Sequence, residues 1–307
     1  MVIPKTDRES KPDLYYGHHV VAFLDLLGQK DRICEIEGIL EAENPEISRD
    51  KLQKTLKHTV GTVWAFRKQF LDFFDSYLEH EPPFQIPKKF ETHFKEMLSH
   101  SKINFQSFSD STIVWTPVYL KNDLDYAKVL NSIHGILASV GTIAPLYLSK
   151  KVPFRGGIDL EGGISLYPGS NELYGPALNR AYTLESKEAE YPRVLIGIGL
   201  LNFLRSIVNI EFRDAAIGKY CQMMAERCNG WIIVDEDGRP MVHFFGASAR
   251  ELQSTLPDDF NYTLEILEPL KKFVLDCEDK FKDHPKLGQR YKRLKSYIDR
   301  SLKEWEM

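Results

Sequence analysis

The sequence lacks most of the short signatures that assign common enzyme and secreted classes. Its 307 residues hold only four cysteines, Cys34, Cys221, Cys228 and Cys277, scattered without a CxxC pair. That usage argues against a disulfide scaffold or a structural zinc site and suits a reducing compartment. His18, His19 and His243 stand in no HExxH or zinc-finger spacing, so they read as packing or surface residues. No GxSxG elbow is present to support Ser/His/Asp hydrolysis. The glycine-rich run from Gly156 to Gly163 lacks the GK[ST] ending of a P-loop, and its glycines read as sites of close backbone approach on a strand. There is no excess of positive charge: the formal net charge is −4, which argues against holding duplex DNA or anionic lipid by bulk electrostatics. A polyanionic substrate would need a local cation cluster or a metal. The opening segment, Met1 to Leu14, carries no apolar stretch of signal-peptide kind. The most apolar stretches, around Ile136–Leu148 and Val194–Leu204, are interrupted and fall short of the roughly 18 residues that span a bilayer. A cytoplasmic protein with neither nucleic acid nor membrane as partner is expected.

What is present is enough apolar material, 43%, to bury a core in one large domain or two small ones. His19–Leu27 is a short apolar, β-branched run that ends at Gly28 and contains one aspartate, Asp25, as a buried strand would. From about Gln29 to His100 the spacing becomes helical, through Leu52, Leu56, Val60, Val63, Trp64, Phe66, Phe70, Phe73 and Phe74. It predicts two or three helices, broken at Pro82–Pro83 and Pro87. Ile103–Phe108 and Thr112–Val118 flank Ser109-Asp110-Ser111 as a hairpin. A long amphipathic helix over Asp123–Leu148 follows, then a strand-rich segment over Val152–Leu166, a helix from about Gly175 to Lys187, a strand at Val194–Ile198 and a helix near Leu201–Val208. Trp231–Val234 and Met241–Phe245 form a second hairpin. The charged region from Tyr262 to Trp305 reads as helical, on the surface or against a partner. This order predicts an α+β fold, a ferredoxin-like antiparallel sheet with helices on one face. The helical stretch of about 29–100 is an insertion after the first strand. Residues 1–230 are expected to form the main domain, with 231–307 as a hairpin and helical extension packed on it.

Asp25 and Asp110 raise the chemical question. A carboxylate at the end of a buried apolar strand is costly to desolvate unless something compensates it, and Asp110 sits at a hairpin tip between two apolar strands. If those strands lie side by side, both carboxylates reach one edge of the sheet. Hard oxygen donors converging there suit Mg²⁺ or Mn²⁺, with a metal pair about 3.5–4 Å apart as the usual outcome. Taken singly, Asp110 also reads as a turn residue and Asp25 as an exposed edge carboxylate.

FLDLLG, then FSDS, FRGGIDLEGG and ELYGPALNRAYTLE, resemble in order the motif set of class III adenylate and guanylate cyclases. The resemblance runs from about Val20 to Ile198 but excludes the helical stretch between Gln29 and His100. The GPAL, AYTLE and AEYPR segments are more specifically similar to the pyrimidine nucleotide cyclases of bacterial Pycsar antiphage defence. The resemblance implies the cyclase catalytic fold, a homodimer with shared active sites, and a two-ion Mn²⁺ or Mg²⁺ site made by Asp25, the Leu26 carbonyl and Asp110. It implies a triphosphate-binding role for Arg155, whose guanidinium matches phosphate oxygens in a bidentate manner. It gives Asn179 the role of positioning ribose and reacting phosphate, and places Phe23, Gln106 and Glu172 around the base. Where purine cyclases carry a lysine and an aspartate to read adenine, this chain has Gln106 and Glu172. UTP is therefore the first expected substrate and CTP the second, with cyclic UMP, a cyclic-nucleotide effector and antiphage signalling following by analogy. The chain departs from the family at Thr183, where a second transition-state arginine is usual, so Arg180, Arg155 or another cation must neutralise the developing charge or turnover is modest. Two other readings stay open: a cyclase-like nucleotide-binding regulatory module without turnover, and a different two-metal phosphoryl-transfer enzyme.

Overall fold

A computed structural model describes residues 13–29, 34, 45–79, 101–167, 172–253, 256–257 and 259–305. In chain order the elements are β1 (Asp13–Leu26), α1 (Pro45–His58), α2 (Val60–Glu79), β2 (Asn104–Phe108), β3 (Ser111–Val118), α3 (Asp123–Ser149), β4 (Phe154–Tyr167) and β5 (Leu173–Tyr174). Then come α4 (Pro176–Thr183), a π-helical turn (Leu184–Glu188), β6 (Val194–Ile196), α5 (Ile198–Ser206) and α6 (Ala215–Asn229). The chain continues through β7 (Ile232–Val234), β8 (Pro240–Val242), α7 (Ala247–Gln253), α8 (Glu268–Lys280) and α9 (Pro285–Lys303). The expected breaks at Pro82–Pro83 and Pro87, and residues 1–12 of the opening segment, lie outside the described residues.

The strands form one eight-stranded sheet in the order β2-β3-β1-β4-β6-β8-β7, with β5 paired to β4. Every pairing is antiparallel except β4 with β6. The fold is thus the expected α+β class with an antiparallel-dominated sheet. β1 is central and long, hydrogen-bonded to β3 on one side and to β4 on the other. The second hairpin, β7–β8, extends the same sheet through the Leu195–Met241 pair.

Alternation along β1 separates two apolar layers, because successive strand side chains point to opposite faces. Val20, Ala22, Leu24 and Leu26 enter the large core, together with Phe66 and Phe70 of α2, Ile133 and Leu137 of α3, and Leu270 of α8. Val21 faces the other way, into a smaller cluster with Ile113, Trp115, Leu173, Ala177 and Ala181. Most helices therefore cover one face, as expected, while α4 covers part of the opposite one. Glycine makes room for it: a Cβ on Gly157 would lie 2.4 Å from the Ala181 carbonyl oxygen and 2.4 Å from Leu184 Cβ.

α3 starts at a capping box in which Asn122 and Asp125 satisfy each other's backbone amides. It is the one described helix long and apolar enough to cross a membrane, yet 83% of its most apolar window is buried inside the protein. Its apolar surface is spent on the core, with Phe74 of α2 against Gly135 and Trp231 against Gly141. The charged C-terminal helices are also core elements rather than purely surface ones. Leu294, Tyr297, Ile298 and Leu302 of α9 recur at helical spacing and are buried. A buried ion network fixes α9 to the sheet: Arg193 donates to Asp235 (2.6 Å) and Asp237 (2.6 Å), and Arg300 of α9 reaches Asp235 at 3.2 Å.

Because Phe70 is fully buried, α2 is part of the core despite belonging to the insertion. Phe70→Ala is expected to cost about 3–5 kcal/mol of unfolding free energy, measured by urea denaturation. A loss under about 1 kcal/mol would mean that α2 only decorates the fold.

Candidate active site

The site is built on cross-strand rows. Asp25 near the end of β1 faces Ser111 of β3 on one side and Arg155 of β4 on the other. The Ser111 hydroxyl donates to Asp25 Oδ1 at 2.8 Å. Asp110 occupies the β2–β3 turn immediately before Ser111, and its carbonyl accepts a 3.5 Å bond from the Leu26 amide. Ser109, beside it, has φ of 52°, a left-handed conformation that lets the turn close tightly. The fold thus brings Asp25, Leu26, Asp110 and Arg155 to one end of the sheet. Two residues inward, on the same face of the sheet, the row holds Phe23, Ile113, Gly157 and Gln106. Gln106 Oε1 is buried with no hydrogen-bond partner, and the Tyr182 ring meets Phe23 edge-on at 5.3 Å.

Burial raises the Asp25 pKa, opposed by the Ser111 hydrogen bond; the Asp110 charge raises it further, and Arg155 pulls it back. A half-buried carboxylate beside a second one is electrostatically unfinished, since like charges disfavour joint ionisation. The donor set fits a hard divalent cation. Two carboxylates and a nearby main-chain carbonyl match the way Mg²⁺ is held, by one or two protein carboxylates with water and substrate phosphates completing the shell. Among the described residues no group of three or more His, Cys, Asp or Glu side chains forms a complete metal cage, so phosphate oxygens would be needed.

Other residues sit elsewhere. Glu172 is exposed, accepts a 2.5 Å hydrogen bond from the Tyr174 hydroxyl, and lies beside β5, which pairs with the far part of β4 at Ile164 and Ser165. Asn179 is exposed on α4. It is not the helix cap, a place held by Gly175 with φ of 107°, and its amide bonds to the Gly175 carbonyl. Neither residue joins the Asp25 row within this chain. Thr183 donates back to the Asn179 carbonyl at 2.8 Å. Arg180, one candidate to replace the missing arginine, is engaged by Asp159 and Glu188, each at 3.4 Å. Of the histidines, His19 contacts Ser165 at 3.3 Å and His243 contacts Tyr297 at 3.0 Å.

No protein-family model matches the chain, and no curated protein does. Solved structures similar to it include a class III adenylyl cyclase-like ATP-binding protein from Pseudomonas aeruginosa, at 15% identity and TM-score 0.35, over 72% of this chain and 44% of that one. Others are the guanylyl cyclase Cya2, at 12% and 0.28 over 75% and 91%, and a bacterial light-regulated adenylyl cyclase, at 10% and 0.31 over 72% and 59%. The match spans less than half the length of the first of these proteins.

Two residues that sequence reasoning passed over complete the geometry. Arg67 of α2 donates through Nη2 to the carbonyls of Ser109 (2.7 Å) and Ser111 (3.1 Å), gripping the turn that carries Asp110. Its signal was position: Arg67 follows Val63 by four residues and precedes Phe70 by three, on the stripe that faces the core. Glu185, in the π-helical turn after α4, lies 2.5 Å from Arg155 Nε. It follows the buried Ala177 and Ala181 at intervals of four, which marks it as inward-facing. π-Helical turns of this kind recur at functional sites.

Glu185 is 2% exposed. Burial pushes its carboxyl up to about 7; Arg155 opposes the shift, and Asp25 and Asp110 add to it. A carboxyl whose pKa is raised in the folded state binds protons more tightly than in the unfolded chain, so stability falls as pH climbs between the two values. Relative to Glu185→Gln, the wild-type protein is expected to lose stability from about pH 4.5 to about pH 7 and to diverge no further above that. Thermal melts of both proteins across pH 4.5–8 check this; parallel curves would show that Glu185 titrates normally.

Proposed function

We propose that the protein is a nucleotide cyclase that converts a nucleoside triphosphate to a 3′,5′-cyclic monophosphate and diphosphate, with UTP as first substrate and CTP as second. One observation carries this reading: Asp25 and Asp110, far apart in sequence, meet at one end of the sheet with Arg155 in the adjoining strand. In the reaction the ribose 3′-oxygen bonds to the α-phosphorus, the bond from that phosphorus to the β-bridging oxygen breaks, and the hydroxyl proton passes to solvent or a nearby base.

Asp25, Asp110 and the Leu26 carbonyl would hold Mn²⁺ or Mg²⁺, two ions per site, which when bound lower the pKa of the ribose hydroxyl and offset phosphate charge. Arg155 supplies a guanidinium beside those carboxylates. Its ion pair with Glu185 uses Nε and so leaves its terminal nitrogens for phosphate oxygens. Phe23 offers a ring for the base, and the unpartnered Gln106 Oε1 offers an acceptor. An amide can meet uracil or cytosine by presenting its donor or acceptor side, so Gln106 fits a pyrimidine reader without choosing between the two. The separation of Asn179 and Glu172 from the Asp25 row in a single chain supports a homodimer in which a second copy supplies Asn179 with the base-reading positions Gln106 and Glu172. In this reading cyclic UMP serves as a second messenger in antiphage defence, acting on a cyclic-nucleotide effector inside the cell. The departure at Thr183 supports one alternative, a nucleotide-binding regulatory module without turnover.

Purified protein incubated with Mn²⁺ and each of the four triphosphates in turn is expected to yield cyclic UMP as the main product by mass spectrometry. Asp110→Ala should keep its fold and lose at least about 100-fold in activity, since metal-assisted charge stabilisation is lost. Binding of nucleotide without any cyclic product would favour the regulatory module, and retained activity in Asp110→Ala would remove that residue from the site.

A further inference from the structure

Next to the carboxylate row lies a cleft of about 610 Å³, walled on one side by Leu27 and Arg155 and on the other by α9. Its size falls within the usual range for small-ligand sites. Five basic side chains line it, Arg155, Lys187, Lys286, Arg290 and Arg293, against a single acid, Glu190. Lys286, Arg290 and Arg293 recur at intervals of four and three on α9, so one helix face presents all three. Arg293 is paired with Glu190 and Arg155 with Glu185, Glu190 also attracts Arg290 and Asp25 attracts Arg155, and the cations lining the cleft still outnumber its acids.

This concentration of charge comes in a chain whose net charge is −4, and it carries an electrostatic cost in the free protein. Arg290 has its pKa lowered by burial and by the neighbouring Arg155 charge. Its Nε is buried and has no hydrogen-bond partner. Buried donors are normally satisfied, and guanidinium groups held close together are stabilised by a multivalent anion between them. The helix cannot simply swing out to relieve the repulsion. Leu294, Tyr297 and Ile298 anchor it in the core, and Arg300 ties it to Asp235.

We infer that this cleft is a polyphosphate site, and that α9 grips the β- and γ-phosphates of the substrate and then the diphosphate product. Assignment to the nucleotide's tail rests on the cyclase reading; the capacity to bind a polyphosphate does not. The cleft begins at Leu27, two residues beyond Asp25, and shares Arg155 with the carboxylate row. A triphosphate whose α-phosphate lies at the carboxylates would have Arg155, the residue common to both, between it and the cleft. α9 lies outside the span of the family resemblance. It supplies positive charge from the same chain where Thr183 stands in place of an arginine.

The test uses the full-length protein and inorganic tripolyphosphate, titrated by calorimetry without divalent metal. Wild type is expected to bind it. Lys286→Ala/Arg290→Ala should weaken binding by roughly tenfold or more, as the loss of charge-assisted hydrogen bonds implies, with an unchanged circular dichroism spectrum. Lys292→Ala, on α9 but outside the cleft, should bind as wild type does, and Arg290→Lys should retain part of the affinity. In turnover assays the double variant should raise KM for the triphosphate about tenfold, and diphosphate should inhibit competitively. Tripolyphosphate binding that depends on Lys286 and Arg290, in a protein that makes no cyclic nucleotide, would uphold the phosphate site and bring down the cyclase reading. Turnover in a protein that does not bind tripolyphosphate, or whose binding and KM ignore the double variant, would overturn the inference and leave the cyclase reading standing. Binding that the double variant abolishes while KM stays unchanged, with noncompetitive inhibition, would overturn the assignment to the substrate's tail.

Discussion

The pairing of β1 with a strand on each side is the constraint from which the rest of the structure follows. Fourteen residues of β1 are matched one for one with β4, and eight of the same residues with β3. A strand held this way cannot slip by one position without turning its whole apolar set toward the wrong face. Register therefore fixes chemistry: Val20, Ala22, Leu24 and Leu26 must point into the large core, so Asp25 must point to the other face, in line with Ser111 and Arg155. The placement of the carboxylate is a by-product of burying its neighbours.

That placement puts charges where the fold alone does not neutralise them. Asp25, Asp110 and Glu185 crowd one end of the sheet around Arg155, and a second set of like charges gathers beside them along α9. The two sets are of opposite sign and adjacent. In the proposed reading, a ligand that carries both metal cations and phosphate anions would relieve both at once, which neither a bare cation nor a bare anion could do. Preorganised charge of this kind costs stability in the empty protein and lowers the reorganisation needed at the reacting centre. The stability that offsets it comes from the large core, where α2, α3, α8 and α9 share one continuous apolar cluster.

Much of this was legible in the sequence because the strands alternate cleanly and the turns carry their usual residues. The β2–β3 hairpin, the long α3 helix and the β7–β8 hairpin all lie within a few residues of where hydrophobic period and turn chemistry put them. The convergence of Asp25 with Asp110 could be anticipated from strand order, since both stand at strand ends. The basic face that α9 turns to the cleft could not. Its lysines and arginines are spread along the helix with one acid, Asp299, among them, and only the helical phase, fixed by burial of Leu294, Tyr297 and Ile298, sorts Lys286, Arg290 and Arg293 toward the cleft. α4 on the second face was hidden for a related reason: a short helix is admitted there by the missing side chain of Gly157, and a lone glycine in a strand does not announce what approaches it. Glu185 and Arg67 were obscured because a charged residue inside an apolar helical pattern reads as solvent-facing until its phase is checked against its neighbours.

The cleft is also assembled from distant parts of the chain, and this sets an order of events during synthesis. Leu27 and Arg155 are in place once the first four strands pair, whereas Lys286, Arg290 and Arg293 follow every strand in sequence. The cleft can therefore close only after α9 has been made and its Leu294, Tyr297 and Ile298 have entered the shared core. Domains fold as units, and because α9 supplies buried side chains to the one large core, a chain terminated before α9 would lack both its cationic wall and part of the packing beneath its sheet. Completion of the core and completion of the cleft thus depend on the same last helix.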